Sequence, residues 1–121
     1  MAKNFKSPHL LRVETTIQKI ISRSLVKKVS DPRLKEAVIT GVDMTSDFSM
    51  AKVYWSIHSR NSDYDQRVGN GFKSANGLFR HEIANNMHIY KIPKLTFKRD
   101  HSIEYGDHIE NLIYKLNHGE N

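Results

Sequence analysis

Arg12, Lys19, Arg23 and Lys27 follow one another at spacings of seven, four and four, which on a helix of 3.6 residues per turn sets four cations along one stripe. Cations placed in this way suit one chemistry in particular, the neutralisation of nucleic-acid phosphates with release of their counterions. The first thirty residues hold seven Lys or Arg against a single acid, Glu14, while the rest of the chain balances, so the net charge of +6 is concentrated there. Two readings of the stripe are open, a phosphate-facing surface and a solvated helix face, and the concentration of charge favours the first.

Other chemistry finds little support. Of the seven histidines the best-placed is His108, which would share a helix face with Asp100 and Glu104. Zinc sites ordinarily take at least two His or Cys, so no metal and no cofactor are expected. There is no Gly-rich phosphate loop, nucleophile elbow or His-Glu-x-x-His helix, and no catalytic residues are assigned. Asp63 and Asp65 read as ordinary helix-start acids. A metal-dependent nuclease would need clustered carboxylates beside the basic stripe. A DNA-binding regulator would need a recognition helix carrying Asn, Gln and Arg toward base edges. Neither pattern is present, though both remain the alternatives.

The elements that must carry these residues are legible in the hydropathy pattern. At 121 residues, 38% hydrophobic and 26% charged, the chain suits a single domain over 1–121, with frayed tails expected at 1–6 and 117–121. It has no cysteine and no apolar run of membrane-spanning length, so a cytoplasmic protein without membrane association is expected. Leu10, Val13, Ile17, Ile20, Ile21 and Leu25 recur at helical period from about Pro8 to Val29, behind a Ser7-Pro8 start. Ser30-Asp31-Pro32-Arg33 ends that helix. Residues 36 to 45 and 50 to 58 read as strands joined by the polar turn Thr45–Ser49. Tyr64, Val68, Phe72, Ala75, Phe79, Ile83 and Met87 then repeat at helical spacing. Gly69, Gly71 and Gly77 interrupt them, and a joint between two helices is expected at Ala75-Asn76-Gly77. Leu95–Lys98 reads as a third strand, and a last helix is expected from Ser102. A helical crossover makes strands two and three parallel, so the sheet is mixed, with helices on one face of an α+β fold.

That order resembles the type II KH fold of RNA-binding proteins. From Arg12 to Leu112 the chain further resembles the ribosome-binding factor A family. The stretches that carry this are Arg12-Val13, Gln18-Lys19, Asp31-Pro32-Arg33-Leu34, Ser46-Asp47-Phe48, Ala51-Lys52-Val53-Tyr54 and Ala75-Asn76-Gly77. Pro93-x-Leu95-x-Phe97-x-x-Asp100-x-Ser102 and Gly106 complete the series. Each is weak alone, and their order and spacing are jointly specific.

The resemblance implies a non-enzymatic factor that binds the small (30S) ribosomal subunit and its 16S rRNA during late maturation and assists 5′-end processing. It further implies a chain that is monomeric when free. Ala-x-Gly stands where other KH domains have the Gly-x-x-Gly clamp for single strands, and the resemblance makes it an interhelical kink. Whether these three residues also touch RNA is open. Close approach of two helices at Gly77 is expected in either case. The candidate RNA contacts are Arg12, Lys19, Arg23 and Lys27, then Lys73, Ala75, Asn76, Gly77, Arg80, Lys98 and Arg99. Arg33 suits either an ion pair at the helix stop or an RNA contact. The chain departs from the family at His88, Tyr90 and Lys91, where arginines are common, and at Lys94 in place of an acid.

Overall fold

The structure, a computed structural model, describes residues 5–57 and 62–101. The last helix expected from Ser102 and the tail at 117–121 lie outside the described residues. Ser7 caps the first helix, its Oγ accepting from the Leu10 N–H at 3.1 Å, and Pro8 occupies the first turn, where a missing N–H costs nothing. Helix α1 (Pro8–Lys27) turns all six expected apolar residues inward. It stops ahead of Asp31-Pro32, where Asp31 caps a short 3-10 turn (Pro32–Leu34) and pairs with Arg33 at 2.7 Å. That pairing, together with the Arg33 N–H, holds the Asp31 carboxyl below its usual pKa. The helix-stop ion pair is thus the role the structure gives Arg33, and Leu34 plugs into the core beside it.

Strands β1 (Val38–Met44) and β2 (Met50–Ser56) pair antiparallel, and β3 (Lys94–Arg99) adds to β2 in parallel, giving the sheet order β1-β2-β3. The mixed sheet and its one-sided helices are as expected. Strand alternation sends Ala51, Val53 and Trp55 toward the helices and Lys52 to solvent. A bulge between Ile39 and Gly41 frees Thr40, whose hydroxyl donates to Asp100 at 2.6 Å. At the hairpin, Asp47 Oδ1 accepts from the Ser49 hydroxyl at 2.7 Å, the Thr45 hydroxyl at 2.8 Å and the Ser49 N–H at 3.0 Å. Those bonds depress the carboxyl to about 2.

The joint at Ala75-Asn76-Gly77 needs correcting. One continuous helix, α2 (Ser62–Asn86), runs straight through it. Gly77 has open space where a Cβ would sit and its φ is not left-handed, so it provides neither a close approach nor a special turn. Packing outweighs the propensity cost: Val68, Phe72, Phe79 and Ile83 are wholly buried along one face. Phe72 stacks on Phe97 at 5.0 Å and meets Trp55 at 5.5 Å, tying α2 to two strands at once. The close approach belongs to Gly71, where a Cβ would lie 2.9 Å from Leu34 Cδ2 and 3.1 Å from its Cγ.

Two outcomes follow from this packing. Urea titration should find Gly77→Ala stabilised by up to about 1 kcal/mol through helix propensity. Gly71→Ala should be destabilised by roughly 1 kcal/mol, because overpacking against buried Leu34 exceeds the same gain. The Asp47 contribution has a definite pH window. A depressed pKa adds stability above the unfolded value near 4 and loses it as pH falls through about 2. Asp47→Ala should therefore lose less stability than the parent between pH 4 and pH 2, as followed by circular dichroism.

Candidate nucleic-acid interface

Which face of α1 looks outward is decided by a residue of the opposite sign. Glu14 lies about 160° around the helix from Arg12 and is buried against β1. There its carboxylate accepts the Met44 N–H at 2.8 Å and pairs with Lys6. Lys6 also bridges to Asp43 on β1. Burial disfavours the Lys6 charge, but hydrogen bonds to Asp43 and Glu14 outweigh it and raise its pKa. Lys6 is thereby tied to both α1 and β1. With the acid and the apolar stripe turned inward, Arg12, Lys19, Arg23 and Lys27 all stand exposed, within about 80° of one another around the helix. Among the described residues, none of the four joins an ion pair.

The C-terminal half of the stripe borders a cleft of about 290 Å³ between α1 and α2. Arg23, Lys27 and Lys28 line one side, and Glu82, Asn85 and Asn86 the other. Lys28 is held by buried Glu82 at 3.3 Å, which leaves Arg23 and Lys27 as the cations available to a ligand. Asn85 and Asn86 bring amide groups to the same rim, where Asn86 Nδ2 also donates to the Glu82 carbonyl at 2.7 Å and Asn85 Nδ2 meets His81 Nε2 at 3.0 Å. Sequence periodicity gave no hint of Lys28, Asn85 and Asn86 as neighbours, because the pairing of α1 with α2 is not a local property.

The remaining candidates do not join this face. Lys73 and Arg80 are exposed on the shoulder of α2 about 160–180° from Glu82, and Arg80 reaches the Ile92 carbonyl at 3.4 Å. Ala75 and Asn76 are half-buried and Gly77 exposed within α2. Among the described residues, Asn76 Oδ1 is buried without a hydrogen-bond partner. Lys98 pairs in register with Tyr54 on the outer face of the sheet, away from the helices. Arg99 points inward: it pairs with Asp65, donates to the Ile57 carbonyl at 3.3 Å and lies over the Trp55 ring at 5.6 Å. Its guanidinium is built into the fold and does not form part of a surface with the stripe.

Of Asp100, Glu104 and His108, only Asp100 is among the described residues, and those residues hold no group of three or more His, Asp or Glu able to bind a metal. No helix among them is long and apolar enough to cross a membrane.

Comparison with known proteins agrees with this architecture. The family model described as ribosome-binding factor A matches residues 9–113. A ribosome-binding factor A of Oenococcus oeni is 57% identical over 118 residues, covering 98% of each chain. That of Pediococcus pentosaceus is 43% identical, covering 97% of this chain and 98% of its own. Among solved structures, a Thermotoga maritima protein described as a putative ribosome binding factor A superposes with a TM-score of 0.64 at 28% identity. It covers 73% of this chain and 83% of its own. The Thermus thermophilus ribosome-binding factor A gives 0.63 at 17% identity, over 74% and 93%, a likeness of fold.

The orientation of α1 is open to direct test. Glu14→Ala strands the buried Met44 N–H and should cost about 1–3 kcal/mol in chemical denaturation. Glu14→Gln keeps an acceptor and should cost less.

Proposed function

Since the chain belongs to the ribosome-binding factor A family, we propose that it binds the small (30S) ribosomal subunit by laying the cationic face of α1 against phosphates of the 16S rRNA. The observation that carries this is the stripe itself: four exposed cations on one face of one helix, free of ion pairs among the described residues, beside a cleft rimmed by Asn85 and Asn86. Unpaired surface cations release counterions when they meet a polyanion, whereas cations already paired to carboxylates have less to gain. A Thermus thermophilus relative of the same fold has been placed in a map of its complex with the 30S subunit, which supports a ribosomal partner for this chain as well.

On this reading the protein is a cytoplasmic assembly factor, monomeric when free. It engages the subunit late in maturation, assists 16S rRNA 5′-end processing by stabilising an RNA conformation, and makes or breaks no bond itself. The α1 surface suits a folded RNA because its cations are spread along about 22 Å of helix, from Arg12 to Lys27. That spacing matches a run of phosphates rather than one clamped tetranucleotide.

Changing Arg12, Lys19, Arg23 and Lys27 together to Gln tests the proposal. Gln has nearly the helix propensity of Lys and Arg, and the buried face is untouched, so the melting temperature should hold. Binding to purified small subunits, read by co-sedimentation across a salt series, should show the slope of log affinity against log salt shrinking by roughly 3. Duplex DNA of equal length should compete poorly. A variant with the parent's slope would mean that the stripe is a solvated face.

A further inference from the structure

A second cavity, of about 310 Å³, opens between the first turn of α1, the β1–β2 hairpin and the segment joining α2 to β3. Its volume lies at the small end of the range for ligand pockets. Buried Val13 and Met44 line it, so its base is apolar. Flat rings stand around that base: His9 and Phe48 meet with centroids 5.6 Å apart, and Tyr90 at the rim is fully exposed. None of these rings is needed to close the aromatic core of Trp55, Phe72, Phe79 and Phe97.

Phe48 holds its place at a cost. Its φ of 63° is left-handed, where glycine or asparagine is at ease and a bulky L-residue is strained. Strain of this kind at a cavity wall points from the backbone to what the side chain does there.

The polar groups narrow the ligand. Asp47 lines the same cavity near the Lys91 charge, and its hydrogen bonds from Thr45 and Ser49 all fall on Oδ1, so among the described residues Oδ2 has no hydrogen-bond donor. A carboxylate repels a phosphate and welcomes an N–H donor. Lys91 stands among the lining residues and suits a phosphate outside. An apolar base, stacking rings, one acceptor and a neighbouring cation together fit an unpaired base on a sugar-phosphate chain.

We infer that this pocket receives a single unpaired nucleobase of the RNA, stacked on one of the Phe48 and His9 rings, which are tilted 49° apart, and edged by the other and by Tyr90, with its donor edge toward Asp47. Guanine, whose N1–H and exocyclic amine lie on one edge, can turn either donor to the single open oxygen. The inference rests on the RNA-binding function proposed above and adds a base-reading site to it.

Nuclear magnetic resonance of the full chain tests it with guanosine, adenosine, ribose 5-phosphate and inorganic phosphate as separate probes. Guanosine should shift the ring signals of His9, Phe48 and Tyr90 most, and ribose 5-phosphate should leave them in place. Tyr90→Ala removes a wholly exposed ring, and Phe48→Asn relieves a strained backbone, so both should fold. Both should lose the guanosine response. On small subunits Tyr90→Ala should weaken binding roughly 5- to 160-fold, the range for losing one base stack, without changing the salt slope. Silence toward every nucleoside, or an equal response to ribose 5-phosphate, would overturn the pocket. If the salt slope of subunit binding still depends on the α1 stripe, that result leaves the proposed function standing and removes only the base-reading site.

Discussion

A three-stranded sheet this small can bury only one face, and everything else in the molecule follows from how two helices share it. Phe72 is the pivot. From α2 it stacks on Phe97 of β3 and leans on Trp55 of β2, so a single ring holds the helix across the parallel pair that the helix itself connects. Val68, Phe79 and Ile83 extend the contact along α2. The remaining part of the sheet, toward β1, is then the place where α1 packs. Aromatic packing of this kind is directional as well as apolar, which is why the helix has one seat and not several.

Once α1 is seated, its acids and cations separate. Glu14 goes in, capped by the Met44 N–H and Lys6; Asp43 shares Lys6, Glu82 takes Lys28, Asp31 takes Arg33 and Asp65 takes Arg99. The fold thus spends acids on internal pairs and leaves Arg12, Lys19, Arg23 and Lys27 facing water. A net charge of +6 spread evenly would steer weakly toward any polyanion. Four cations gathered on one face of one helix make a surface with an orientation.

Much of this was legible in the residue pattern. Helical period, the Ser7-Pro8 start and the polar hairpin are local signals, and the crossover rule fixed the direction of β3 without knowledge of a contact. What was illegible depended on neighbours distant in sequence. Glycine propensity argued for a break in α2, yet Phe72 and Phe79 on either side of it are buried against the same Phe97 ring, and that shared contact keeps the helix whole. The buried role of Glu14 depends on Met44, thirty residues away. That Lys73 and Arg80 lie on the other shoulder of α2 from Glu82 was equally illegible, because a periodicity says which residues share a face and not where that face points. Arg99 is different. The alternation Leu95, Phe97, Arg99 places it on the inner face of β3, where register outweighs charge in deciding its role.

Phosphate contacts position a protein on RNA, and base contacts distinguish one site from another. The geometry of α1 allows both along one line. His9 lies about 60° around the helix from Arg12, in the sector also occupied by Lys27, so the ring-lined cavity opens at the N-terminal end of the cationic stripe. On the proposed function, an RNA strand following the stripe would meet Lys27, Arg23, Lys19 and Arg12 in turn before reaching Phe48 and Tyr90. Electrostatic contacts alone would hold any RNA whose phosphates match the spacing. A pocket at the end of the run requires an unpaired base at one distance from the last phosphate contact, and a conformation of the RNA that presents such a base would be selected over one that keeps it paired. Selection of that kind stabilises one folded state of the RNA by binding energy, which is how the proposed function would act on its partner.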